Sequence, residues 1–124
     1  MKKKKRLLCA ILASLCLTGS AMAAYAIGFN VTYPWDTYSN KAKKGNHNQP
    51  FSVSGDFFSS SNGVLYCQSQ GVTNPSVNSY TTSISRGNPG SSASYQSYAS
   101  NGDEFRMSTS SNVYEFQATG WYTP

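Results

Sequence analysis

The chain has 124 residues, of which 39% are hydrophobic, 14% aromatic and only 12% charged, and its formal net charge is +5. That excess lies in Lys2, Lys3, Lys4, Lys5 and Arg6; from Ala24 onward Lys41, Lys43, Lys44, Arg86 and Arg106 balance Asp36, Asp56, Asp103, Glu104 and Glu115. A neutral chain lacks the basic footprint that phosphate backbones and anionic lipids attract, which argues against nucleic-acid binding and against cationic attack on membranes.

At the amino end, the basic cluster precedes an apolar run from Leu7 to Leu17 and then Ala21-Met22-Ala23. This order reads as a secretory signal peptide, with small residues at the first and third places of Ala-Met-Ala suited to a signal peptidase. Cleavage is expected after Ala23, with Ala24-Tyr25-Ala26 a second small-x-small site. Residues 1–23 are therefore read as the leader and residues 24–124 as one secreted domain. No later stretch approaches the ~20 apolar residues of a membrane-crossing helix, so no membrane span is expected after cleavage. Cys16 follows Leu15 and Cys9 lies too early, which speaks against lipoprotein processing.

A mature chain of this length buries roughly 60 to 70% of its unfolded surface, enough for one modest core. Leu, Ile, Val and Phe are scarce after the leader, but nine Tyr, six Phe and two Trp supply apolar area in their place. Near-zero net charge and abundant aromatics favour a folded domain over a disordered one.

Period-two runs dominate the mature chain. Ile27, Phe29, Val31 and Tyr33 form one strand face, ended by Pro34. Asp36 to Pro50, with its lysines, Gly45 and His47, reads as a loop. Phe51, Val53, Gly55 and Phe57 form a second face, with Gly55 a candidate bulge or close-approach point. Asn62-Gly63 predicts a type I′ hairpin that pairs this strand with Val64 to Gln68. Gly71 to Asn78 reads as another loop. Tyr80, Thr82 and Ile84 give a fourth strand, Ala93 to Tyr98 a weaker fifth, and Asn101-Gly102 a second hairpin signal before Phe105, Met107 and Thr109. Tyr114, Phe116, Ala118 and Gly120 form the last face. Seven short strands with turn signals between them predict an all-β fold, a small antiparallel β-sandwich or barrel.

Catalytic signals are weak. The mature chain has one His, His47, and neither a Gly-x-Ser-x-Gly elbow nor a Cys-x-x-Cys pair. One His and one Cys do not close a zinc site, and Asn101-Gly102-Asp103-Glu104 lacks the alternating ligands of a calcium loop. A glycosidase needs two carboxylates flanking a cleft, for which so small a chain leaves little room. The protein is read as a non-enzyme without metal or cofactor. Cys67, alone in the mature chain, is either a buried hydrophobe or the site of an intermolecular disulfide.

What remains is a surface rich in Tyr, Trp, Asn, Gln and Ser, types that stack on sugar rings, hydrogen-bond hydroxyls and populate adaptable protein-binding loops. Tyr33, Trp35 and Tyr38 beside the first loop, with Trp121 and Tyr122 near the carboxyl end, are the candidate contact residues; the alternative is that Trp35 and Trp121 cap the core. Lys41, Lys43 and Lys44 are either a group that steers an anionic wall polymer or a solvated loop.

Ser110-Ser111-Asn112-Val113-Tyr114 leading to Phe116-Gln117-Ala118-Thr119-Gly120-Trp121-Tyr122, together with Asn48-Gln49-Pro50-Phe51-Ser52-Val53, resembles small exported Gram-positive proteins grouped with lactococcin-type bacteriocins. The resemblance implies an antiparallel β-sandwich and, in such proteins, interference with cell-wall synthesis. Two functions stay open: a secreted module that binds cell-wall glycan or a surface protein through exposed aromatics, and a bacteriocin-like effector. Fibre-forming matrix proteins are a third class.

Overall fold

The computed structural model describes residues 25–124; the expected leader, residues 1–23, lies outside them. Among the described residues every regular element is a strand: β1 (Ile27–Tyr33), β2 (Ala42–Lys43), β3 (Phe51–Phe58), β4 (Val64–Gly71), β5 (Thr82–Ser85), β6 (Gly90–Ala93), β7 (Glu104–Ser111) and β8 (Phe116–Thr123). They form two four-stranded sheets, β1-β8-β3-β6 and β2-β7-β4-β5, and every pairing is antiparallel. The fold is all-β, with eight strands instead of seven. The added one is the two-residue β2, inside the stretch expected to be loop.

Alternation explains the core. In β8, Phe116, Ala118, Gly120 and Tyr122 turn inward, and their neighbours are half-buried. Phe29 and Val31 of β1 join them in one buried cluster with Leu65 and Cys67 of β4 and Phe105 and Met107 of β7. Each such apolar side chain contributes about 1.5–3 kcal/mol on burial. β3 and β8 approach closely at Gly120, where an added Cβ would fall 1.9 Å from the Ser54 carbonyl oxygen.

The expectation of a bulge at Gly55 holds, and several others are corrected. The bulge falls at Gly55, where the β3–β8 register shifts between Gly55 and Phe57. It moves the inward face on by one residue, so Phe58 is buried and Phe57, expected inside, is exposed. Tyr80 precedes β5 and is exposed, whereas Ile84 is buried as expected. The weak fifth strand lies at Gly90–Ala93, earlier than Ala93 to Tyr98.

Neither hairpin signal makes a hairpin. Asn62-Gly63 joins β3 to β4, which lie in different sheets. Gly63 is packed so tightly under Phe116 that a Cβ would come within 2.1 Å of its ring, and the turn carries the chain across the core. The Asn101-Gly102 turn likewise enters β7 in the sheet that does not contain β6. There Gly102 N–H donates to the Lys44 carbonyl at 2.8 Å, extending the β2–β7 pairing.

The two sides of the molecule differ. β5 and β6 are the outer strands of opposite sheets, and a Thr82–Ser91 hydroxyl hydrogen bond links them. On the other side β1 and the 36–40 segment leave a groove of about 400 Å³ between the sheet edges.

Candidate functional site

After β1 the chain turns through a cis Tyr33–Pro34 bond. Thr32 and Asp36 exchange backbone hydrogen bonds at 2.8 Å, and Trp35 N–H also donates to the Thr32 carbonyl at 2.8 Å. This tight turn holds Trp35 at its tip, 62% exposed, so Trp35 does not cap the core.

The turn between β7 and β8 stands beside it. Asn112 Oδ1 accepts from Val64 N–H at 2.8 Å and Val113 N–H donates to Ser111 Oγ at 3.1 Å, while Glu115 takes a left-handed backbone with φ 60°. The turn so braced presents Tyr114, 68% exposed. The Trp35 and Tyr114 rings meet edge to face, with centroids 5.4 Å apart and planes at 67°. Two large aromatics in mutual contact with most of their surface in water form an amphipathic platform.

The other expected contact residues scatter. Tyr33 is half-buried and paired with Phe116 across β1–β8. Tyr38 is 44% exposed and carries the Arg106 guanidinium 3.9 Å from its ring centroid, a cation–π contact. Trp121 is partly buried on the outer face of its sheet, with its ring 4.0 Å from where a Gly28 Cβ would stand. It lies five residues beyond Phe116 along β8, roughly 17 Å from the Trp35 end. Tyr122 is fully buried and cannot be a surface contact: it continues the inward alternation of β8.

Instead, Tyr122 belongs to a buried polar centre. Ser69 Oγ is hydrogen-bonded to Tyr122 Oη at 2.6 Å and to Tyr95 Oη at 2.7 Å, and Ser69 N–H donates to Ser79 Oγ at 2.9 Å. Burial pushes both phenols up, against the smaller effect of the Ser69 hydrogen bonds. Lys44, expected in a solvated loop, is fully buried here. Its ammonium donates to the Gln49 carbonyl at 2.7 Å and the Pro124 carbonyl at 3.1 Å, and lies 4.5 Å from the Tyr95 ring centroid. Burial lowers the Lys44 pKa to about 8.

Cys67 is fully buried as well, and desolvation pushes its thiol up to about 12, far from the reactive thiolate. An intermolecular disulfide there requires the core to open. The His47 ring lies against Tyr98, with centroids 5.3 Å apart, and its Nδ1 is buried with no partner among the described residues.

Tyr114, expected on the face of the last strand, instead precedes β8 and is exposed; neither it nor Arg106 is among the expected contact residues. The signal that could have found Tyr114 is the polar turn-type run Ser110-Ser111-Asn112 just before it. Compared with protein-family models, curated proteins and solved structures, the chain matches none.

Proposed function

We propose that the chain is an exported, non-enzymatic binding module, a small β-sandwich released by cleavage of residues 1–23, which attaches to cell-wall glycan. The Trp35–Tyr114 pair carries the reading. Its rings are exposed, in contact, and fixed by two turns braced through backbone hydrogen bonds, so they meet a flat, half-apolar ligand such as a sugar ring with little side-chain ordering left to do. Neutrality after the leader suits a polymer recognised by ring faces and hydroxyls better than a polyanion. The non-enzymatic part is supported by access: Ser69, Cys67 and Lys44, the groups with nucleophilic chemistry in the polar centre and core, are all closed to solvent.

The test is co-sedimentation of the processed protein with purified cell walls, competed by soluble wall-glycan fragments. The wild type is retained and displaced by the fragments, and Trp35→Ala and Tyr114→Ala each lose retention. Retention unchanged in both variants overturns the reading. Growth inhibition of a related strain without wall retention favours the bacteriocin-like effector.

A further inference from the structure

The groove between the open sheet edges is bordered by backbone groups aimed into it from both sides. In an extended strand, the N–H and C=O of one residue point to the same side, and the side alternates with each residue. Thr32 exchanges its backbone hydrogen bonds with Asp36, so its polar groups face away from β8, and those of Asn30 and Gly28 face the same way. On the other sheet, Ser39 N–H donates to the Met107 carbonyl at 2.9 Å and Thr109 N–H donates to the Thr37 carbonyl at 2.8 Å. Thr37 and Ser39 therefore face β7 and Tyr38 faces outward, whereas the Asn40 carbonyl accepts from Ser39 Oγ at 2.8 Å. Gly28, Asn30, Tyr38 and Asn40 all line the groove. Among the described residues Gly28, Asn30 and Tyr38 make no outward backbone-to-backbone hydrogen bond.

We propose that this groove binds an extended polypeptide segment of another protein, which adds as a strand along β1 and bridges toward the Tyr38–Asn40 edge. The outward groups of β1 recur at every second residue, roughly 6.8 Å apart, a spacing that another extended backbone matches with donors and acceptors in register. The β1 edge is covered only at Thr32, where Asp36 folds back to pair with it; it has no Lys, no Pro and no bulge between Ile27 and Tyr33, and Gly28 leaves the approach clear. The lining sets the chemistry of the guest. Phe29 borders the groove from the apolar core, and Asp36 stands exposed at it with a carboxylate. A segment that alternates apolar and basic side chains satisfies both, with one face toward Phe29 and the charges toward Asp36.

This surface is separate from the aromatic pair, and the two readings fail separately. The test titrates the processed, isotope-labelled protein with a blocked seven-residue peptide of alternating Lys and Val, and follows backbone amides by NMR shift and hydrogen exchange. Slowed exchange is expected at Gly28, Asn30 and Tyr38. The same peptide N-methylated at alternate amides on its pairing edge is expected to bind about tenfold more weakly, because it has lost backbone donors. Asp36→Lys weakens the unmodified peptide, whereas Trp35→Ala abolishes wall retention and leaves peptide binding intact. Three results overturn the proposal: equal binding of the N-methylated peptide, protection of these three amides by soluble glycan fragments but not by peptide, and concentration-dependent protection without peptide, which would assign the edge to a second copy of this chain.

Discussion

The polar centre and the aromatic end use the same residue types for opposite purposes. At the centre, Tyr95 and Tyr122 send their hydroxyls to one serine, and their rings fill volume that the scarce aliphatics leave, with Tyr122 edge-on to Phe51 at 6.0 Å between centroids. At the end, Trp35 and Tyr114 touch each other and otherwise face water. An aromatic-rich composition is therefore not one signal but two. Tyrosine substitutes for leucine only where its hydroxyl has a partner, and an aromatic left at a turn tip adds little to the core.

Ser69→Ala breaks the comparison hardest. It strands the buried Tyr122 phenol and the half-buried Tyr95 phenol at once, and since a buried polar group left unpaired costs about 1–3 kcal/mol, a loss of about 2 kcal/mol is expected in chemical denaturation. An unchanged midpoint would show that the centre does not hold the sheets together.

Lys44 gives the next effect, through pH. Burial lowers its folded pKa to about 8, below the ordinary lysine value of 10.5, so between those values the unfolded chain binds more protons and stability rises with pH. From pH 7 to pH 9 the gain is about 1 kcal/mol. Above pH 9 the Cys67 thiol, held protonated by burial while its unfolded counterpart ionises, opposes any further gain. Lys44→Met is expected to flatten the rise, as read from denaturation midpoints across that range.

Tyr122→Phe sharpens the same comparison at lower cost. Ser69 keeps Tyr95 as a partner, so the loss is about 1 kcal/mol, close to that of one net hydrogen bond. Smallest in stability and largest in function is Trp35→Ala. An exposed turn residue outside the core should change stability by no more than about 0.5 kcal/mol, measured by thermal melts, while wall retention is lost.

The sequence makes some of this legible, and the limits are physical. Alternation places Phe29 and Val31 inside, and a glycine within a strand pattern marks the bulge at Gly55. Extending the Phe116, Ala118, Gly120 face by one step also puts Tyr122 in the core. Which sheet a strand joins is not local information. Asn62-Gly63 encodes a reversal, but whether the flanking strands pair or part depends on Phe116, far along the chain, which packs over Gly63. Lys44 is buried by Gln49, Tyr95 and Pro124, three separate segments, so its local sequence reads as solvated. The meeting of Trp35 with Tyr114 likewise joins two turns far apart in sequence.

The aromatic platform is tested most directly by fluorescence. A Trp121→Phe variant leaves Trp35 as the sole indole of the chain. Titrated with soluble wall-glycan fragments, it is expected to show a saturable blue shift as the exposed ring is covered, and Tyr114→Ala in the same background is expected to abolish the shift. Retention of that variant on walls with no change in Trp35 emission would contradict the account.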